Sequence, residues 1–266
     1  MIRTLKAFPT LLRVGVAETV AYRGEFLVWI LTTTLPLVML GLWTSVAEEA
    51  PFRGYTGADF VAYYLATLIV RNLTGSWVAW QISEEIRGGL LAMRLLRPIH
   101  PFIAYGASHV AAIPFRTLVT VPIAAILLLS SGASALTTEP VQLALILPSI
   151  ALGWLITYSI LFAIGALAFH LTKTMAIANL YFGAFVPLSG YLMPLPLMKP
   201  AWIATFASYT PFPSMLYTPV RLMTAHLERG ELRTMLLAQV GWMAAMVVLA
   251  LWLWRSGLKR FEAVGS

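Results

Sequence analysis

The chain has 266 residues, a mean hydropathy of +0.81, 59% hydrophobic residues and only 11% charged ones. Soluble domains carry about 25% charged residues, so this composition excludes an ordinary water-soluble enzyme, a disordered chain and a solenoid. It leaves an all-α polytopic membrane protein: a helical span needs roughly 20 apolar residues to cross about 30 Å of hydrocarbon, and with loops this length holds about six. The 18 Lys and Arg exceed the 11 Asp and Glu, for a net charge of +7. Basic residues gather at the cytoplasmic ends of membrane helices, so the excess reads as topology and not as nucleic-acid binding. The absence of cysteine excludes disulfides, thiolate catalysis and Cys-based zinc sites.

Residues 1–24 are not a signal peptide, because Arg3, Lys6, Arg13, Glu18 and Arg23 interrupt any apolar core. On a helix, Leu5, Phe8, Leu12, Val16 and Val20 share one face, and Arg3, Lys6, Thr10 and Arg13 the other. That pattern predicts an interfacial elbow helix on an anionic membrane surface. The first span is predicted over Phe26–Ala47, with a kink at Pro36, and the second over Ala58–Trp80, interrupted by Arg71. The third covers Ala104–Ser131, with Pro114, Arg116 and Pro122 inside it. The fourth covers Val141–Phe169, the fifth Thr174–Met193 and the sixth Thr234–Trp254.

With the N-terminus inside, eleven basic residues fall on cytoplasmic segments and five, Arg53, Lys199, Arg221, Arg229 and Arg233, on external ones. This predicts a multi-pass protein with both termini cytoplasmic. Trp29, Trp43, Trp77, Trp80, Trp252 and Trp254 lie near span ends, as an aromatic belt would. No linker or clear internal repeat divides the chain, which reads as one domain over 1–266.

Two segments are not spans. The cytoplasmic stretch 81–101 mixes Glu84 and Glu85 with Arg87, Arg94 and Arg97; Gly88 and Gly89 break it, and Pro98 and Pro101 end it. A glycine hinge thus joins two short helical pieces, the second both apolar and basic, suited to a groove on a soluble partner. The external stretch 187–219 holds seven prolines among apolar and aromatic residues. Proline forbids a continuous helix, and broken backbone cannot face lipid with its polar groups unsatisfied. Short half-helices buried against the spans are expected.

Catalytic chemistry is not visible. There is no G-x-x-x-x-G-K-[ST] phosphate loop, no H-E-x-x-H and no G-x-S-x-G. The histidines, His100, His109, His170 and His226, are scattered, and Asp59 is the sole aspartate. No metal site is expected. Arg71 lies 13 residues from Ala58 and 9 from Trp80, beyond easy snorkelling reach of either end. A mid-membrane arginine costs at least about 2.5–3.5 kcal/mol on insertion scales, so it should face protein or water. One account has Arg71 satisfying carbonyls exposed at a kink near Pro36 or Pro187. The other sets Arg71 and Asn72 on a translocation cavity, with Tyr64 higher up, where the charge selects an anionic cargo.

The order is amphipathic helix, two spans, Glu84-Glu85-Ile86-Arg87-Gly88-Gly89-Leu90 with Leu95-Leu96-Arg97-Pro98-Ile99, two spans, then a fifth span ending in the proline-rich segment around Ser189–Pro196 and a last span. It resembles the membrane subunits of ABC transporters of the type-2 exporter class. The resemblance implies a six-span half-transporter in the cell's inner or plasma membrane. Such a subunit pairs with a second permease, identical or paralogous, and is driven by ABC ATPase subunits that carry the ATP and Mg, this chain holding no cofactor and being no enzyme. ATPase coupling is expected at Glu84, Glu85, Arg87, Gly88, Gly89, Arg94, Arg97 and Pro98. The substrate cavity is expected at Arg71, Asn72, Tyr64, Trp29, Asn179 and Phe182, and the external gate at Pro187, Pro194 and Pro196. The cargo implied is an amphipathic drug-like, lipid or lipid-linked molecule. A secondary transporter or channel working without an ATPase stays as the alternative.

Overall fold

A chain this apolar satisfies its backbone by local hydrogen bonds wherever it can, and helices do this without help from a second segment. In the computed structural model the described residues are 35–118 and 120–261, with 9–10, 12–14 and 16 of the N-terminal segment. Among them the regular structure is helical, apart from one isolated bridge between Phe52 and Tyr55. The elbow helix over 1–24 and the first part of the first span, Trp29 included, fall largely outside the described residues. The six N-terminal residues that are described are helical.

Successive helices are α1 (Leu35–Val46), α2 (Gly57–Thr74), α3 (Val78–Arg87), α4 (Leu91–Leu95), α5 (Pro101–Ala111), α6 (Ile113–Thr117) and α7 (Thr120–Ser131). Then come α8 (Pro140–Ala166), α9 (Thr174–Leu188), α10 (Trp202–Ser208), α11 (Phe212–Met215), α12 (Tyr217–Thr224) and α13 (Arg229–Leu258). Two stretches of 30 residues are long and apolar enough to cross a bilayer unaided, Pro140–Phe169 and Arg229–Leu258. The first matches the expected fourth span. The second is longer than the Thr234–Trp254 expected, because Arg229, Glu231, Arg233 and Arg255 extend the helix although they end the hydropathy window.

Three expected spans are corrected. The second is not continuous: α2 stops at Thr74, the chain runs extended at Gly75, and α3 starts at Val78 and continues through the first third of the expected cytoplasmic segment. Ser76 contributes to the break, its Oγ accepting from Val78 N at 3.4 Å. The third is three helices, with α5–α6 and α7 bent by 56°. Pro114 and Pro122 each remove a backbone donor and crowd the preceding turn, which accounts for the division. The fifth ends at Leu188, not Met193: Pro187 lies in its last turn, and Gly190 takes φ +84°, a left-handed value that terminates helices.

Helix α8 is the axis of the fold. It packs along α13 and also meets α2, α3, α11 and α12. Two of its glycines permit this closeness. A Cβ at Gly153 would lie 2.8 Å from Met215 O, and one at Gly165 would lie 2.9 Å from Ile82 Cβ and 3.2 Å from Ala79 Cα. Small residues are what let helices approach where hydrocarbon on both sides removes the hydrophobic drive. At the far end Phe169 packs directly on Gly257 and edge-on to Trp254. Inside this packing, Ser149 Oγ donates to Gln239 Oε1, and Gln239 Nε2 donates to Ser149 O and Ser214 O.

These contacts set the first prediction. Gly165→Val forces side-chain atoms into α3, an overpacking that costs about 1–3 kcal/mol. Its melting temperature in detergent should fall, while Gly183→Ala, with nothing within 4 Å of the new Cβ, should leave it unchanged.

Candidate functional site

Three places carry the expected functional residues. The first is the hinge after α3. Gly88 closes α3, its N–H donating to Glu84 O, and Gly89 takes φ +73°, which glycine adopts at low cost. Chain reversal then brings α4 back under α3. Arg94 grips Glu85 with two hydrogen bonds, Nε to Oε2 and Nη2 to Oε1, each 2.6 Å. Tyr105 of α5 donates its hydroxyl to Glu85 Oε2 at 2.6 Å, and the Arg94 guanidinium lies 4.2 Å over the Tyr105 ring. A bidentate pair that also stacks on an aromatic face is held far more firmly than an exposed ion pair. The hinge is therefore a braced corner.

The expected coupling residues divide. Glu85 and Arg94 face each other and are half-buried. Arg87 reaches away to the start of α9: it donates to Thr172 O, and to Thr174 Oγ1 at 3.2 Å. Ser83 and Thr174 hydroxyls join 2.7 Å apart beside it. Glu84, Arg97 and Pro98 point outward with Leu90, Met93 and Leu96, which are 64%, 69% and 79% exposed. The outer side of the corner is thus an apolar row edged with charge. His100 completes the corner by accepting from Phe102 N at 3.2 Å, capping α5. Partial desolvation and the nearby Arg255 hold its pKa below the ordinary histidine value, which keeps that nitrogen free to accept.

The second place is the proline-rich segment. Pro187 lies in the last turn of α9, and Pro194 and Pro196 begin a 3₁₀ turn, Leu195–Leu197. The broken backbone is satisfied from α1, α2 and the loop between them. Tyr63 donates to Gly190 O at 2.7 Å, Tyr64 to Leu192 O at 2.7 Å, Trp43 to Leu192 O at 3.2 Å and Arg53 to Leu197 O at 2.6 Å. A Cβ at Gly190 would meet Tyr63 Oη at 2.7 Å, so this close seat requires glycine. Tyr64 is accordingly a clamp on this segment and is fully buried.

The third place is the break between α2 and α3. Arg71 lies 5.1 Å from the Phe185 ring and meets the Tyr191 hydroxyl. The carbonyl freed at the break, Gly75 O, is satisfied by Arg116 Nη1 at 2.7 Å. At this break the carbonyl is capped by Arg116, which the sequence marks only as a charge between Pro114 and Pro122. Asn72 folds back on its own helix, Nδ2 to Leu68 O at 2.9 Å. Phe182 packs on Trp80 at 5.7 Å and on Tyr181 at 4.9 Å, and Asn179 is exposed. Arg71 and Phe182 are therefore linked through Tyr181 and Phe185. A separate cavity of about 220 Å³ opens beside α2 and α12, lined by Gly54, Tyr55, Asp59, Tyr63, Arg221 and Thr224.

Tyr105, Tyr63, His109 and Arg116 were not singled out as functional by pattern. Each acts through a partner far along the chain, which helical periodicity does not encode.

The clamps generate a prediction. Removing the Tyr63 hydroxyl strands Gly190 O at a cost of about 1–3 kcal/mol, whereas Leu192 O keeps Trp43 when Tyr64 loses its hydroxyl. Tyr63→Phe should lower the melting temperature and Tyr64→Phe should lower it less, and single cysteines at Tyr191 and Leu192 should label faster with a polar thiol reagent in the double variant. Equal labelling would show that the hydroxyls do not hold the segment.

Compared with known families, the chain matches ABC-2 family transporter protein over residues 27–265. No curated protein matches it.

Proposed function

The chain belongs to the ABC-2 transporter family, matched from residue 27 to 265, and on that premise we propose that it is the six-span permease subunit of an ATP-driven exporter, both termini cytoplasmic. Membership makes it the membrane part of an ABC transporter, and association with an ABC ATPase comes with the family in general. The export direction, the pairing with a second permease, the plasma-membrane location and an amphipathic cargo are this proposal's own.

The observation that carries it is the braced corner after α3. A segment that transmits force between subunits must be rigid inside and adhesive outside. Glu85, Arg94 and Tyr105 supply the rigidity. Leu90, Met93 and Leu96, flanked by Glu84 and Arg97, supply an outward apolar and charged surface suited to a groove on an ATPase. ATP and Mg are held by that partner and not by this chain, and the chain has no catalytic role.

Motion at the corner has a physical route inward. Arg87 and Ser83 tie α3 to the start of α9. Helix α9 passes Phe185 across Arg71 and ends at Leu188, next to the segment that Tyr63 and Tyr64 hold. Displacement of the corner by ATPase closure therefore acts on one helix that touches both the membrane interior and the proline-rich segment. Alternating access would follow from rocking α9 against the α2–α8 core.

The test separates surface from brace. Leu96→Asp and Glu84→Lys change only outward side chains; each should abolish co-purification with a co-expressed ABC ATPase subunit while leaving the melting temperature unaltered. Glu85→Ala removes the internal partner of Arg94, so it should lower the melting temperature as well, by an amount matching the loss of about 3–5 kcal/mol for half of a buried pair. Full co-purification of the outward variants would overturn the docking role. Transport by the purified chain without any ATPase would overturn the ATP-driven reading altogether.

A further inference from the structure

Interrupting a helix at membrane depth leaves carbonyls at one broken end and amide groups at the other. At the α2–α3 break a single carbonyl, Gly75 O, takes up Arg116 Nη1. That uses one donor of a guanidinium that has five. Arg116 is 4% exposed, and its Nε and Nη2 have no hydrogen-bond partner among the described residues. Its carbon centre lies 5.3 Å from the Trp77 ring, so a cation–π contact accounts for one face only.

A second cation shares the place. A Cβ built on Gly75 would be 3.2 Å from Arg116 Nη1 and 3.7 Å from Arg71 Nη1. Both guanidinium groups therefore flank Gly75, each with its Nη1 close to the place a Cβ would take. His109 approaches as well. It is 1% exposed, its ring lies 4.3 Å from Trp77, its Nδ1 is 3.4 Å from Ser76 Oγ, and its Nε2 has no partner among the described residues. The ten-residue helix α3 begins here too, with the positive end of its dipole at Val78.

Among the described residues no carboxylate answers these charges. Glu85 is held by Arg94 and Tyr105, Asp59 by Thr56, and Glu231 by Arg221, each away from the break. Two arginines that repel each other, with buried donors unspent, remain stable in a low-dielectric interior when an anion lies between them. Discontinuous membrane helices present their N-terminal ends to anionic groups in the same way.

We propose that Arg71 and Arg116, at the Gly75 break, form a binding site for the oxyanion headgroup, phosphate or carboxylate, of an amphiphile whose apolar body lies against the part-exposed Phe182, which packs on the buried Tyr181. The role as cargo site rests on the permease reading above; the anion site itself does not. Arg116 Nε and Nη2 donate to one oxygen pair, and Arg71, stacked on Phe185, closes the other side. Zwitterionic or neutral amphiphiles lack the net charge that makes this pair of cations favourable.

The test uses the purified full chain in neutral detergent, without ATPase, so its outcome is independent of whether an ATPase drives transport. Dodecyl phosphate and laurate should raise the melting temperature and bind saturably by calorimetry, and dodecanol should do neither. Arg71→Gln, whose known contacts are only a ring and a hydroxyl, should weaken dodecyl phosphate binding by at least about tenfold, as losing a charged hydrogen-bond partner does. Arg116→Lys, which keeps a donor for Gly75 O, should weaken it similarly, and Arg97→Gln at the surface should not. Mass spectrometry of the washed protein distinguishes the sources. An anionic phospholipid retained by wild type and lost from Arg71→Gln identifies a membrane-lipid headgroup; binding of dodecyl phosphate with no retained lipid identifies an exchangeable ligand. Equal binding by wild type and both variants, or equal binding of dodecanol, overturns the proposal.

Discussion

Backbone left unpaired where a helix breaks is the constraint around which this molecule is arranged. In water such groups bond to solvent, and in a hydrocarbon layer they need protein. Every prominent break has a long polar side chain sent to it from elsewhere. Arg116 serves Gly75. Tyr63, Tyr64, Trp43 and Arg53 serve Gly190, Leu192 and Leu197. Gln142 donates to Leu222 O and Ala225 O and accepts from Leu227 N, tying the end of α12 to α8. Gln239 does the same for Ser149 and Ser214. These side chains join segments 25 to 149 residues apart in sequence, so the satisfaction of local breaks is also what holds the tertiary fold.

That constraint explains why α8 can be the central helix with so little amphipathic character. It is apolar nearly all round, as a helix surrounded by other helices should be. What orients it is closeness at Gly153 and Gly165, and the polar groups Gln142 and Ser149 on defined turns. Helix α13 packs along one side of α8 with a largely outward surface, and its single buried glutamine fixes its register. The division between a core helix and a covering helix therefore comes from polar and small residues, not from hydrophobicity, which the two share.

Rigidity at the two ends has a different origin. Around Glu85 it is a charged pair backed by a tyrosine hydroxyl and an aromatic face; around Gly190 it is a set of neutral donors on carbonyl groups. The first keeps the corner in one shape while its outer row stays available. The second fixes a proline-rich stretch that has no ladder of its own. Helix α9 connects them, and its apolar middle crosses the one place where two arginines meet.

Much of this was legible in the chain itself. Composition alone requires a helical membrane protein, since so few charges cannot cover a globule in water. The fourth span reads correctly because Pro140 starts it and its apolar run is uninterrupted. The Glu-Glu-x-Arg-Gly-Gly pattern marks a hinge, because adjacent glycines beside charges cannot continue a helix quietly, and the prolines of 187–219 mark broken backbone. Only the tertiary structure decided what those breaks do. Hydropathy counts Gly75, Ser76 and Trp77 as part of one span, since a three-residue extension changes no average. Whether Arg71 or Arg116 caps the exposed carbonyl depends on which side chain reaches it across the bundle. Glu84 and Glu85 are adjacent and chemically alike, yet one faces out and the other grips Arg94, a difference set by where α4 and α5 return. Residue type states which groups need partners; the fold alone brings the partner within reach, because the partner sits on another helix.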